Sequence, residues 1–304
     1  MKLGFITAIL DGWDFEEVID IAAANQFGCV EVACWPLGAA ERRYAGVTHI
    51  DVAALSDAQI GDIKARCRDK GVAISSLGYY PNPLTADADA RQATIDHLHR
   101  LIDASAALDV GMVTTFIGRD HRLDVEANLE LVSKIWPPLL THAESVGVRV
   151  AIENCPMLFG ADQWPGGQNL FTSPSLWRRI FDLLDSDVLG LNYDPSHFIW
   201  QMMDHIAPLY DFAEKLFHVH IKDIHLDPYR LNQVGVLAHP LDFMTPKLPG
   251  HGDIDWGEFV SALDDIGYDG PACIEVEDRA YETSRGRILD SLILSKRFID
   301  QFVI

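Results

Sequence analysis

The chain holds 304 residues, 48% of them hydrophobic, and carries a formal charge of −21 at pH 7. That length allows one or two domains around a large core. The charge argues against a nucleic-acid backbone or an anionic membrane as partner, because both would be repelled. No run of about 18 apolar residues offers a membrane span.

The opening stretch MKLGFITAILDGWDFEE has no basic leader and no small-residue cleavage site. It reads as the first strand of a mature cytoplasmic protein. Short β-branched and aromatic runs then alternate with longer amphipathic stretches. Strands are expected at 3–9, 29–35, 73–79, 112–117, 149–154, 189–194, 216–222 and 271–277. Helices are expected near 14–26, 57–70, 87–108, 124–146, 174–185, 203–213, 256–266 and 285–302. Eight βα units in this order predict a single (β/α)₈ TIM barrel over residues 1–304. Gly28, Gly71, Gly111, Gly147 and Gly267 fall where helices should stop. Thr85 or Asp87, Asp124, Ser173 and Asp255 offer N-caps. A doubly wound open sheet would compete, but its GxGxxG fingerprint is absent.

Two connections are long, 155–173 and 223–255, the second rich in Pro, His and Gly. In a barrel they follow strands five and seven on the catalytic face, as lids, binding loops or oligomer contacts. The cysteines (Cys29, Cys34, Cys67, Cys155, Cys273) are odd in number and lack a CxxC pair, which fits reduced thiols. Cys155 shows no activating base.

Four consecutive strands end in a potential ligand: Glu153, Asp194, His220 and Glu275. Strand ends of a barrel share one bowl, where unpaired acids are costly. One divalent cation removes that cost. Three carboxylates and an imidazole favour Mn²⁺ or Mg²⁺, with Co²⁺ and Zn²⁺ compatible. His218 faces the same way as His220 one layer deeper, which suits a supporting role. Glu277 stands in the same relation to Glu275 and competes for its place. Trp13, Trp35, Tyr79, Phe116 and Trp164 could stack on a sugar or fill the core. Glu31 could bind a hydroxyl or form a buried ion pair.

The run Glu153-Asn154, the Asp-Pro-Ser-His of 194–197, the His-Val-His-Ile-Lys-Asp of 218–223 and the Pro-Gly-His-Gly-Asp-Ile-Asp-Trp of 249–256 carry a resemblance along the whole chain. Together they resemble the xylose isomerase-like TIM-barrel superfamily, and more narrowly its sugar phosphate isomerase/epimerase branch. Ketose 3-epimerases and inosose dehydratases are relatives there. The resemblance implies that Glu153, Asp194, His220 and Glu275 bind the metal, and that Glu153 and Glu275 form a proton-transfer pair. It implies that His197 contacts the reacting oxygen of a carbohydrate, the alternative being a role in orienting Asp194. It also implies a homo-oligomer. Physics agrees with the pair: a metal-polarised ketone acidifies the neighbouring C–H, and two carboxylates can remove and return the proton.

One position departs from the pattern. Ketose 3-epimerases place an arginine six residues after the metal histidine, and here Leu226 stands there. Lys222, His225 or Arg279 could supply the missing donor, with Trp35 as a stacking surface. No phosphate cradle follows the last two strands, Gly250-His251-Gly252 being a weak candidate. The leading expectation is a metal-dependent isomerase or epimerase acting beside a ketone of a sugar, keto-glycoside or cyclitol, through an enediolate. A lyase using the same enediolate for β-elimination is the rival, with Lys222, His225 or His251 as acid. A phosphodiesterase reading conflicts with the charge and the single-metal ligand set.

Overall fold

A computed structural model describes residues 1–38, 45–158 and 166–303. Eight parallel strands close into a barrel: β1 (Lys2–Ile6), β2 (Cys29–Ala33), β3 (Ala73–Gly78), β4 (Met112–Thr115), β5 (Arg149–Glu153), β6 (Leu189–Tyr193), β7 (Leu216–Ile221) and β10 (Pro271–Ile274), with β10 pairing β1 to close the ring. All eight overlap the expected runs but end one to three residues sooner, and the end of the first expected run is a 3₁₀ turn, Thr7–Leu10. They form because short runs of β-branched and apolar residues, those of β2–β5 and β10 preceded by a glycine, place almost every strand position in the buried interior.

Around the barrel lie α1 (Phe15–Ala24), α2 (Asp57–Lys70), α3 (Ala88–Ala107), α4 (Val125–Ser145), α5 (Pro174–Leu184), α7 (Ala207–Asp211), α9 (Trp256–Asp265) and α10 (Arg285–Ile299). The expected helix at 203–213 is shorter than its pattern, covering one turn plus flanking 3₁₀ structure. Asp87, Asp124 and Asp255 cap their helices through side-chain oxygens. Ser173 occupies the N-cap position without a side-chain bond, and Pro174 pre-sets the first turn instead. Gly71, Gly147 and Gly267 take φ between 68° and 70°, the left-handed region that ends a helix cheaply, whereas α3 is ended by left-handed Asp109 (φ 57°) and Gly111 lies beyond it, before β4. Gly28 serves differently: a Cβ there would approach Lys2 Cγ to 2.9 Å.

Several elements go beyond the expected pattern. A short helix α6 (Ser196–Trp200) follows β6. Within 223–255 the chain forms an antiparallel hairpin, β8 (Asp223–Leu226) with β9 (Met244–Lys247), around α8 (Pro228–Val234). This excursion has its own small core of Trp200, Ile224 and Phe243, with Leu226 and Met244 packed against it. Among the described residues no helix is long and apolar enough to cross a membrane.

Candidate metal centre and active site

The C-terminal strand ends open into a cavity of about 720 Å³, within the usual size of ligand pockets. Glu153 ends β5, Asp194 follows β6, His220 lies in β7 and Glu275 follows β10. His220 Nδ1 stands 3.6 Å from Glu153 Oε1 and 3.5 Å from Glu275 Oε2. These three residues present ligand atoms within 4.8 Å of one another. His220 Nδ1 and Glu275 Oε2 are enclosed and make no hydrogen bond. Buried polar atoms rarely stay unpaired, so orphaned donors facing each other at the cavity floor fit a divalent cation.

The other face of His220 is fixed. Its Nε2 donates to Glu31 Oε2 at 2.9 Å, and Tyr80 donates its hydroxyl to the second Glu31 oxygen. A carboxylate behind a histidine sets which nitrogen is left for a metal. Register shifts at Val30/Glu31 and Leu191/Asn192 accompany the placement of Glu31 and Asn192 in this layer. Gly78 makes the room, since a Cβ there would come within 2.7 Å of Glu31 Oε1. Burial alone would raise the Glu31 carboxyl, but the charge of His220 overrides it and holds it below the usual carboxylate range.

Asp194 does not join the three-residue cluster among the described residues. Its Oδ1 accepts from the Ser196 amide at 2.8 Å, the turn of Asp-Pro-Ser-His. Its Oδ2 lies 3.1 Å from His197 Nε2 and 3.7 Å from Lys222 Nζ. The four expected ligands therefore divide into a trio and a neighbouring acid. Asn154, from the Glu-Asn motif, clamps this strand end: its amide accepts from Asp194 N at 2.7 Å and donates to Asp194 O at 2.8 Å. Asn169 does the same for β5, donating to Glu153 O and Cys155 O at 2.8 and 2.7 Å.

His197 lines the cavity and also faces Asp194 Oδ2 at 3.1 Å. Trp200 donates its indole N–H to His197 Nδ1 at 3.3 Å, which turns Nε2 toward the acids. Cys155 offers its sulfur in one ligand-sized group with Glu153 and His197, a proximity the sequence order does not reveal. Lys222 is buried in the cavity wall, 2.9 Å from Glu277, 3.4 Å from Glu275 and 3.7 Å from Asp194. Burial opposes its charge, but the acids prevail and raise its pKa well above the ordinary lysine value. Glu277 is thus occupied with Lys222. The Glu275 carboxyl is raised by burial, only partly offset by Lys222. Burial also works to raise Glu153, yet the facing rings of His197 and His220 and the charge of Lys222 hold it well below its usual range. His218 is driven down to about 3, chiefly by burial. It sits against Asn192 Oδ1 at 3.0 Å and Ser75 Oγ at 3.2 Å, a supporting group as expected.

Trp35, Phe116, Lys222 and Arg279 line the cavity, whereas His225 and His251 do not. His225 corrects the reading of it as a substrate contact: it is exposed on β8 and bound to Asp253 at 3.1 Å. Tyr79 packs against Trp35 and His97 behind the wall, and Tyr80 is the tyrosine in the site. Trp13 stacks under Arg285 instead. Trp164 lies outside the described residues.

The Pro-Gly-His-Gly-Asp-Ile-Asp-Trp run has a structural task. Asp223 accepts from the amides of Gly250, Gly252 and Ile254 at 3.0, 3.3 and 3.3 Å, and from Trp256 Nε1 at 2.9 Å. A Cβ on Gly252 would fall 2.1 Å from Asp223 Oδ1. These amides are spent on holding the excursion, so they cannot cradle a phosphate.

A closed (β/α)₈ barrel with acids and histidines gathered at its strand ends has the layout of a barrel enzyme. Residues 19–295 match the model of the xylose isomerase-like TIM barrels, and the chain belongs to that family. It is 30% identical over 105 residues to an inosose dehydratase of Geobacillus kaustophilus, covering 33% of each chain. The chain spans about half or less of the length of the first curated relatives it matches. Among solved structures it is similar to D-psicose 3-epimerase with D-tagatose from Clostridium cellulolyticum H10 (17% identity, TM-score 0.68, 100% and 99% of the two chains). It is also similar to the IOLI protein with a zinc atom (17% identity, TM-score 0.72, 99% of each chain). At those identities the solved structures establish the fold alone.

Proposed function

We propose that the protein is a divalent-metal-dependent carbohydrate isomerase or epimerase, in which Glu153 and Glu275 exchange a proton beside a ketone. The observation that carries this reading is the meeting of both carboxylates at one unpartnered nitrogen of His220 on the cavity floor. Glu153, His220 and Glu275 would hold the ion, with Asp194 as the adjoining acid. The oxygen-rich set favours Mn²⁺ or Mg²⁺, and the zinc-bearing IOLI neighbour keeps Zn²⁺ in view. When bound, the ion polarises the ketone and lowers the pKa of the neighbouring C–H.

The chain's own residues do the rest. Glu153, held ionised, takes the proton, and Glu275, with its raised pKa, returns one from another strand. Lys222 and His197 offer N–H donors to substrate oxygens, Lys222 standing in for the arginine that Leu226 replaces. Trp35 and Phe116 supply apolar faces for a sugar ring.

A second reading, β-elimination by the same residues, is favoured by one observation. Lys222 is a buried proton donor beside Glu275 that could protonate a leaving group, and an inosose dehydratase is among the relatives. Incubation of ketoses, keto-glycosides and inososes with Mn²⁺ in D₂O separates the two. An epimerase yields deuterium-labelled product that retains every heavy atom. A lyase releases water or an aglycone. Absence of any exchange or release across the three classes would remove both.

A further inference from the structure

A further group of ligand atoms lies beside the Glu153–His220–Glu275 trio. A carboxylate oxygen of Glu153, the Cys155 sulfur and a ring nitrogen of His197 all lie within 4.8 Å of one another. Trp200 engages His197 Nδ1, which leaves Nε2 free. That Nε2 is enclosed, makes no hydrogen bond, and stands 3.8 Å from Glu153 Oε1. Asp194 Oδ2 faces the same nitrogen at 3.1 Å and is also buried without a hydrogen bond. The two side chains are 8% and 0% exposed, so water does not satisfy them.

Buried polar atoms rarely face each other unpaired, and one cation between these two would satisfy both. Around a tetrahedral zinc ion, with bonds of about 2.0–2.3 Å, ligand atoms stand roughly 3.3–3.8 Å apart. The separations of 3.1 and 3.8 Å at His197 Nε2 therefore need little adjustment. Sulfur decides the kind of ion, because thiolate and imidazole select zinc where oxygen ligands suit Mn²⁺ or Mg²⁺. Lys222 brings an opposing charge 3.7 Å from Asp194, but its Nζ is nearer to Glu277 and Glu275, at 2.9 and 3.4 Å. Cys155 is half-buried and lines the cavity, which gives an ion a path of entry.

We infer that Cys155, His197 and Asp194, with Glu153 shared with the trio, form a second and inhibitory metal site that takes Zn²⁺ in preference to Mn²⁺ or Mg²⁺. Binding releases the Cys155 thiol proton to solvent and changes no oxidation state. With an ion on each side, both Glu153 oxygens are engaged and it no longer serves as a base. That consequence rests on the proton-transfer reading given above, whereas the site itself can be tested without turnover.

Metal-stripped full chain, dialysed against Zn²⁺ or Mn²⁺ and counted by elemental analysis, should hold one more Zn²⁺ than Mn²⁺. Loading with Co²⁺ should add the thiolate-to-metal charge-transfer absorption that only a cysteine ligand gives. Cys155→Ser should abolish that absorption and weaken the additional zinc at least about tenfold, the lower bound for loss of even an outer partner. Its metal-free melting curve should match the wild type. Glu275→Gln, which alters the trio alone, should keep the absorption. Equal zinc and manganese counts, no charge-transfer absorption, or an absorption that survives Cys155→Ser would each overturn the site. Zinc inhibition of deuterium exchange in Mn²⁺-loaded protein should weaken at least about tenfold in Cys155→Ser, and equal inhibition of both proteins would overturn the inhibitory role. A cysteine-dependent zinc site on a chain that exchanges no deuterium into any keto-sugar keeps the site and removes the proton-transfer reading.

Discussion

The floor of the cavity and the excursion bordering it are built on different principles. At the floor, charged groups are buried and held by one another: Glu31 behind His220, Asn154 across Asp194, Lys222 among three acids. Such an arrangement is expensive to bury and is tolerated where chemistry needs it. The excursion lines the cavity with Pro240, Leu241, Met244 and Pro246 interleaved with His239, Thr245 and Lys247, and is secured at its root by one carboxylate. Reaction type should therefore be set at the floor and substrate choice at the excursion, and substitutions in the two regions should separate those properties.

The largest effect is expected at the floor. Glu153→Gln and Glu275→Gln should each lower kcat by about 10²–10⁴-fold, the usual share of general acid–base catalysis, with the thermal transition preserved. Kinetic assays with a turned-over keto-sugar check this. At the root of the excursion, Asp223→Ala leaves several amide donors and the Trp256 indole unpaired. It should cost about 2–4 kcal/mol of stability, read by denaturant titration. Asp223→Asn should recover part of that loss.

Glu31→Gln keeps the shape behind His220 but removes the charge that fixes it, so metal affinity should fall about 10–100-fold. Competition with a metal indicator measures it. Metal affinity should also climb with pH. The Glu275 carboxyl is raised by burial, so it holds its proton to higher pH than an ordinary glutamate and must release it to become a ligand. The rise should be shallower in Glu275→Gln. The smallest effect belongs to the outer face of the excursion: Leu237, 81% exposed, should tolerate Ser within about 0.5 kcal/mol.

The barrel was legible because each strand is a short, largely apolar run, five of the eight preceded by a glycine, a local pattern. Glu153, His220 and Glu275 come together because the barrel places successive strand ends in one bowl. Asp194 is expected beside them: its Oδ1 turns to the Ser196 amide, while its Oδ2 is buried without a hydrogen bond near His197 and Lys222, a placement that depends on the short helix after β6. Of the two readings of Glu31 the buried ion pair holds, with His220 as its partner, whereas nothing in the sequence points to Tyr80, which lies past the end of β3. Tyr79 was named in place of Tyr80 because the alternation of a strand stops applying once the chain passes its end. The excursion was read as a loop, since its Pro and Gly residues break any period, and the bonds that order it converge on Asp223 from 27 to 33 positions away.

Solvent-deuterium exchange into a keto-sugar, followed with chelator-treated protein before and after Mn²⁺ is restored, tests the metal-assisted proton-transfer pair most directly. The account predicts that exchange is lost on stripping, returns with the ion, and stays absent in Glu275→Gln. Exchange that survives both stripping and the Glu275→Gln substitution would contradict it.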